Sequence, residues 1–328
     1  MTTTGNPHDL TFTSQGTTCA AWHFPAADDR LATAAGRPAL VMAHGLGGTK
    51  DSGLAPFGEA FAAAGLDVLA FDYRGFGASE GTPRQRVSLA AQIEDYRAAI
   101  AAAAALPGVD PRRIVLWGVS LAGGHVLSVA AGRGDIAAVV AVVPMVDGMA
   151  AAAHATKSHT PAELLRATGL GVASKVSVLR GRGARMMPIV ARPGEVGALT
   201  LPGALEDYLS IAGPTWRNEV AADVSLELGT RAPAKAAKDL GCPVLVQIAD
   251  FDASAPPYAA AKAAFAAQAE VRHYPGDHFD LFPGKPLHEA AVQHAAKFLT
   301  RHLGPFETVA AQPPQGAKAA AVEEVVGG

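Results

Sequence analysis

Cysteine is scarce in this 328-residue chain, which contains only Cys19 and Cys242. Two thiols so far apart in sequence do not suggest the disulfide framework that stabilises small secreted domains. The first ten residues, MTTTGNPHDL, also lack the basic and apolar regions of a secretory signal. These absences predict a cytoplasmic protein.

Charge is also sparse and nearly balanced. Charged residues make up 17% of the chain, the formal net charge is −3 and there is no basic run, so nucleic acid is not an expected partner. The most apolar run, Ile136–Val146, is too short to span a bilayer and contains Pro144. The hydrophobic fraction of 49% is ample for a large core, and the length suits a single α/β unit.

From residue 38 onwards, short apolar runs alternate with alanine-rich helical patterns. Several runs are apolar at consecutive positions, as expected for parallel strands covered by helices on both faces. This order predicts a doubly wound sheet with its chemistry at the carboxyl ends of the strands. Before it, Leu10–Pro25 is typical of an antiparallel hairpin turning at Gln15-Gly16. The predicted strands are Ala39–His44, Asp67–Tyr73, Arg113–Gly118, Ile136–Val143, Pro243–Ala249 and Glu270–Pro275, and the predicted helices are Pro56–Ala64, Leu89–Ala105, Leu121–Ala131, Ala259–Gln268 and Pro286–His302.

One long segment interrupts the alternation. Residues 148–241 show helical patterns without a clear strand pair, and they fall between two strands of the same predicted sheet. We interpret them as a helical cap, or lid, inserted into a core formed by residues 1–147 and 242–304. Residues 305–328 are rich in Pro, Ala, Gly and Gln, and we expect a disordered tail there.

Ser120 lies where a strand pattern meets a helical pattern, in the sequence LWGVSLAGGH. Gly118 precedes it, and Gly123-Gly124 follow. A strand, Gly-x-Ser and a helix form the context of a nucleophile elbow, in which small neighbours make room for a strained serine. The usual pattern is G-x-S-x-G, and Ala122 takes the last position here. A helix-capping serine would also explain the motif, so further residues must decide.

A serine nucleophile needs a base and a carboxylate that orients the base. Of eleven histidines, His278 lies in the Gly/Pro-rich loop YPGDHFDLFPG after the last predicted strand, where it could reach the carboxyl edge of the sheet. Three aspartates compete for the role of the carboxylate. Asp252, at the opening of a loop after a strand, ranks first, Asp147 second and Asp250 third.

Acyl transfer also needs two backbone N–H groups aimed at the oxyanion. Leu121, directly after Ser120, is expected to supply one. Leu46, in the glycine-rich loop MAHGLGGTKDSG, is the candidate for the other. An ordinary strand-to-helix turn would also account for this loop, and the absence of G-x-G-x-x-G or Walker spacing argues against phosphate binding.

Taken together, the motifs MAHGLGGTKDSG, VLAFDYRGFGASEG, LWGVSLAGGHV, IADFDASAPP and YPGDHFDLF resemble those of the α/β-hydrolases. The nearest resemblance is to bacterial proteins similar to dienelactone hydrolases and acetyl-xylan esterases, including relatives of polyketide acyltransferases. The resemblance covers Leu10 to His302. It implies the α/β-hydrolase fold: a mostly parallel, doubly wound sheet with an N-terminal antiparallel hairpin and a helical cap insertion. Ser120, Asp252 and His278 match the family's triad in chain order.

The resemblance implies ester, thioester or amide chemistry on a small-molecule acyl substrate, without a metal or cofactor. The leading interpretation is a serine hydrolase that cleaves a carboxylic ester or thioester through an acyl-enzyme on Ser120. The alternatives are an acyltransferase with an alcohol or amine acceptor, a peptidase or amidase, and a non-catalytic binding protein of the same fold. A homodimer stays open as the assembly. Within the predicted cap, the candidate pocket residues are Met186, Met187, Tyr208 and Trp216.

Overall fold

The fold is organised around one large sheet. The computed structural model of the protein describes residues 7–304. The strands are β1 (His8–Ser14), β2 (Thr17–Phe24), β3 (Arg37–Ala43), β4 (Asp67–Phe71), β5 (Val109–Val119), β6 (Ile136–Val142), β7 (Met186–Met187), β8 (Val220–Ala221), β9 (Val244–Ala249) and β10 (Glu270–Tyr274). Eight of them form the main sheet in the order β1-β2-β4-β3-β5-β6-β9-β10.

Six strands of this sheet run parallel to one another, namely β4, β3, β5, β6, β9 and β10. Strands β1 and β2 form an antiparallel hairpin at one edge. Strands β4 and β9 are buried at every position, because both faces of the sheet are covered. The edge strand β1 instead alternates between exposed and buried residues over its second half. The prediction of a mostly parallel sheet with an N-terminal hairpin is therefore confirmed.

Within residues 7–304, five α-helices outside the insertion pack on this sheet, and each begins and ends within two residues of its predicted bounds. They are α1 (Ala55–Ala63), α2 (Leu89–Ala104), α3 (Leu121–Ala130), α8 (Pro257–Ala266) and α9 (His288–Leu303). Proline in the first turn of α1 and α8, and the Ser88 side chain that accepts a hydrogen bond at the start of α2, mark where the chain turns helical. Strand β5 begins four residues earlier than predicted, because Pro111 and the two arginines after it interrupt the apolar pattern of its first half.

The segment between β6 and β9 leaves and re-enters the sheet at neighbouring strands. It forms α4 (Gly148–Ala155), α5 (Pro161–Leu179), α6 (Ala204–Ile211) and α7 (Val224–Gly229), and a 3₁₀ helix returns the chain to β9. A capping box between Thr160 and Glu163 starts α5. The same segment contains the short antiparallel pair of β7 and β8, which the sequence did not reveal because two-residue strands carry no readable periodicity.

Two further sequence-based expectations concern the C-terminal tail and membrane-spanning segments. The tail expected at residues 305–328 lies outside the described residues. Within residues 7–304, no helix is both long enough and apolar enough to cross a membrane.

Candidate active site

Ser120 sits at the tight turn between β5 and α3. Its backbone has φ 59° and ψ −119°, a region that residues with a side chain rarely occupy. Hydrogen bonds on both sides hold it: its N–H donates to the Val142 carbonyl, and its carbonyl accepts from Met145 N–H, each at 2.9 Å. A Cβ at Gly118 would lie 2.3 Å from the Ala122 carbonyl oxygen, so the turn closes only around glycine. In the described chain, the Ser120 side chain makes no capping hydrogen bond to α3, which removes the helix-cap explanation.

His278 and Asp252 form a buried pair at the ends of two neighbouring strands. His278 follows β10, Asp252 follows β9, and His278 Nδ1 lies 2.7 Å from Asp252 Oδ2. The other carboxylate oxygen accepts hydrogen bonds from the backbone N–H groups of Ser254, at 2.8 Å, and Ala255, at 2.6 Å. Because a carboxylate oxygen accepts hydrogen bonds, Nδ1 carries the proton of this contact and Nε2 is left as the basic nitrogen.

The surroundings of His278 act on its pKa in opposite directions. Burial lowers the pKa of the imidazole, whereas the charge and hydrogen bond of Asp252 raise it. Burial is the largest single effect, but the two effects of Asp252 and the charge of Asp277 together outweigh it, so the pKa of His278 lies above its ordinary value of 6.5. Asp252 therefore both orients the ring and stabilises its protonated form.

The three candidate aspartates have different surroundings. Asp147 caps α4, since its side chain accepts from Met149 N–H and Ala150 N–H. Asp250 is exposed and pairs with His273 at 2.6 Å. Among the three, within the part of the chain that the structure describes, Asp252 is the carboxylate in contact with His278.

The loop after β3 approaches Ser120 closely. A Cβ at Gly45 would lie 2.7 Å from Ser120 Cβ, so this approach requires glycine. Leu46 comes next, and both Leu46 and Leu121 line the same cavity as Ser120. Among residues 7–304, no protein group accepts a hydrogen bond from the N–H of either leucine. Two backbone donors therefore remain available beside the serine.

Buried polar contacts hold this loop in place. Asp72 accepts hydrogen bonds from the Lys50 backbone N–H at 2.6 Å and from its ammonium group at 2.8 Å. The Tyr208 hydroxyl, from the inserted segment, donates to the Leu46 carbonyl at 2.9 Å. His44 accepts the Gly45 N–H at Nδ1, and burial lowers the pKa of its imidazole to about 4, which keeps the ring neutral. The roles of His44 and Tyr208 had no sequence signal, because both depend on contacts between distant segments.

Ser120 and His278 face one cavity of about 260 Å³. Its wall is mostly apolar, and the inserted segment supplies much of it, including alanines of α4 and the stretch 197–201. Of the four pocket residues predicted from the sequence, the structure places Met187 in this wall.

The other three lie elsewhere in the described structure. Met186 points to the opposite side of β7 and is 37% exposed, as strand alternation requires. Tyr208 and Trp216 stack on each other at 5.0 Å and pack behind Leu46 rather than in the cavity wall. Tyr208 and Trp216 thus pack the insertion onto the core.

A larger hollow of about 380 Å³ opens away from Ser120, beside Arg74 and Arg86. Its two arginines are already engaged, since Arg86 pairs with Asp223 and Arg74 with Asp95. It has no nucleophile with an adjacent base among its lining residues. The cavity at Ser120 is therefore the candidate active site.

A strained serine, a histidine–aspartate pair and free backbone donors at the carboxyl ends of parallel strands are the features of a nucleophile-elbow enzyme. A family model described as the alpha/beta hydrolase fold matches residues 38–182. The quorum-quenching protein AidA of Acinetobacter baumannii (strain MDR-ZJ06) is 36% identical over 298 residues, which cover 90% of this chain and 95% of that protein. The chain belongs to the α/β-hydrolase family.

Two fungal proteins are similar over shorter stretches. The thiohydrolase aneE of Aspergillus aculeatus is 41% identical over 110 residues, covering 34% of this chain and 35% of that protein. The polyketide transferase grgF of a Penicillium species is 34% identical over 140 residues, covering 42% and 45%. The crystal structure of GrgF superposes with a TM-score of 0.74 at 24% identity, over 90% of this chain and 99% of that one. Membership of this family is consistent with ester or thioester hydrolysis and with acyl transfer.

Proposed function

We propose that the protein is a serine hydrolase that cleaves a carboxylic ester or thioester through an acyl-enzyme on Ser120. The observation that carries the proposal is the convergence at one cavity of Ser120, the His278–Asp252 pair and the two unpaired N–H groups of Leu46 and Leu121. Each part alone occurs in proteins without this activity. Their combination matches what acyl transfer through a covalent intermediate needs.

The proposed reaction has two halves. Ser120 Oγ attacks the substrate carbonyl carbon while His278 Nε2 takes the hydroxyl proton, and the Leu46 and Leu121 N–H groups bind the oxyanion. Collapse of the tetrahedral intermediate breaks the bond to the leaving alcohol or thiol, which takes the proton from His278. Water then gives its proton to His278, attacks the acyl carbonyl and releases the carboxylic acid, with Ser120 regaining its proton. Asp252 keeps its hydrogen bond to Nδ1 throughout and stabilises each imidazolium.

The first test is turnover of activated esters and thioesters over a series of acyl chain lengths, with a lactone and a peptide substrate in the same panel. A lactone belongs there because it is a cyclic ester, and a hydrolase of this kind could remove a signal that contains such a bond. The relative AidA is named a quorum-quenching protein, and this name is the reason to include the removal of a signal molecule among the activities tested. Labelling of Ser120 by a fluorophosphonate probe reports on the nucleophile independently of the substrate.

Acyl transfer is the second candidate, and the similarity to the polyketide transferase grgF favours it. Both reactions share the acyl-enzyme and differ in whether water or another nucleophile attacks it. Product analysis with and without an alcohol or amine acceptor separates them. A cytoplasmic location and a homodimer stay predictions beside this proposal.

We further propose that residues 148–241 act as the cap that sets substrate choice, because they supply much of the cavity wall. The Met187→Ala variant should change the ratio of rates for long and short acyl chains, roughly tenfold or more, since it enlarges the acyl pocket. The matched control is Met186→Ala, which removes the same side chain from the exposed side of β7. Equal chain-length profiles for wild type and Met187→Ala would refute the cap as the selectivity element.

The pH dependence of kcat/KM should show the titration of His278. The base must be neutral to accept the Ser120 proton, so activity rises as pH rises through the His278 pKa. Because Asp252 holds that pKa above 6.5, we expect the half-maximal point of the acid limb above pH 6.5. The measurement uses an ester with no ionisable group of its own. An acid limb centred below pH 6.5 would show that another group limits the reaction.

A further inference from the structure

A hydrogen-bonded polar pair lies in the mostly apolar wall of the cavity, apart from Ser120 and His278. His159, just after α4, and Thr200, just before α6, both line the cavity, and His159 Nε2 lies 2.8 Å from Thr200 Oγ1. Thr200 is only 8% exposed, so its hydroxyl is held in a largely dry setting. Around the pair, the wall consists mainly of alanine, glycine, leucine and methionine.

The second ring nitrogen of His159 determines how the pair shares its protons. His159 Nδ1 lies 3.0 Å from the Ala155 carbonyl oxygen, which can only accept a hydrogen bond. Nδ1 therefore carries the proton, and in the neutral ring Nε2 is an acceptor. The Thr200 hydroxyl then donates its single hydrogen to Nε2. Its oxygen keeps lone pairs and has no hydrogen left to donate.

We propose that Thr200 recognises a hydroxyl or amide N–H group on the acyl chain of the substrate, with His159 holding the threonine hydroxyl as an acceptor. The inference rests on the proposed hydrolase function and narrows its substrate class to acyl groups that carry a hydrogen-bond donor. A plain alkyl chain would cover the Thr200 oxygen and strip its water without replacing the hydrogen bond, which costs binding energy. A keto group offers only an acceptor and would face another acceptor.

The test compares acyl thioesters of one chain length at pH 8: an unsubstituted chain, a set with one hydroxyl at successive positions, and the matching keto compounds. We expect kcat/KM for one hydroxyl position to exceed that for the unsubstituted chain by roughly tenfold, the worth of one net hydrogen bond. The keto compound at that position should show no such gain.

Three variants locate the preference. Thr200→Val keeps the shape and removes the hydroxyl, so it should abolish the gain, whereas Thr200→Ser should retain it. Ser225→Ala is the matched control, because Ser225 is another hydroxyl in the same wall, bonded to the Ala222 carbonyl at 3.2 Å. If Ser225→Ala lost the gain and Thr200→Val kept it, the recognising hydroxyl would be that of Ser225, and the proposal for Thr200 would be overturned.

The wild-type protein alone also tests the inference, whatever the stability of the variants. Suppose that the wild-type protein turns over the unsubstituted thioester and that Ser120→Ala abolishes this activity. Equal kcat/KM values at every hydroxyl position would then overturn recognition by Thr200 and leave the proposed function standing. A preference for the keto compounds would show that Thr200 donates a hydrogen bond rather than accepting one, and this would also overturn the proposal. Absence of turnover together with absence of Ser120 labelling would instead refute the hydrolase function itself.

Discussion

Replacing Ser120 with alanine is expected to lower kcat on an activated ester roughly 10⁴- to 10⁶-fold, with His278→Ala in the same range. Without the hydroxyl there is no acyl-enzyme, and only the oxyanion donors and the binding cavity remain to assist attack by water. The change should leave the fold intact, because the Ser120 side chain makes no capping hydrogen bond to α3 in the described chain. Steady-state kinetics and a thermal melt of each variant measure the two expectations.

The matched control is Ser128→Ala on the same helix. Ser128 bonds only weakly to the Gly124 carbonyl, at 3.5 Å, and does not line the cavity. It should keep wild-type turnover and fluorophosphonate labelling, whereas Ser120→Ala should lose both. Wild-type turnover in Ser120→Ala would remove Ser120 from the mechanism. A wild-type protein that binds acyl ligands without turnover or labelling would instead be a binding protein of the same fold.

The sheet could be predicted from the sequence because its parallel strands are buried on both faces. Runs such as residues 68–71 are apolar without alternation, and alanine-rich helical patterns separate them. Local signals mark the helix bounds too, such as the Ser88 cap of α2 and Pro56 in the first turn of α1. Each of these features depends on a few neighbouring residues, so no long-range contact is needed to read them.

The positions of Ser120, Asp252 and His278 could be predicted because each follows a strand of the sheet. Once the strands were known to be parallel, their carboxyl ends had to meet at one edge. The sequence ranked Asp252 above Asp147 on loop position alone. What separates the two in the structure is the 2.7 Å contact with His278 and the helix cap formed by Asp147.

The interior of the insertion could not be predicted in the same way. Whether Met187 or Met186 faces the cavity depends on the pairing of two short strands that lie far apart along the chain. Tyr208 was expected in the pocket, yet its hydroxyl holds the Leu46 carbonyl. The polar pair of His159 and Thr200 joins residues from two separate turns. These placements come from tertiary packing, which periodicity and local motifs do not encode.

Asp252→Asn should lower kcat roughly 10⁴-fold with little change in structure. The N–H groups of Ser254 and Ala255 both donate to Oδ1 of Asp252. In the variant they should hold the amide oxygen at this position, and the amide NH₂ must then face His278. It would donate to Nδ1 and move the ring proton to Nε2. The imidazole could then no longer accept the Ser120 proton, although every heavy atom stays nearly in place.

Two matched variants give this prediction its control. Asp147→Asn should be nearly neutral, because asparagine caps a helix about as well as aspartate. Asp250→Asn should also be mild, since Asp250 is exposed and pairs with His273 away from the cavity. Kinetics on one activated ester, with melting curves for all three proteins, make the comparison. If Asp147→Asn were the crippling change and Asp252→Asn mild, the orienting carboxylate would lie at the end of β6, and the contact between His278 and Asp252 would have a structural role only.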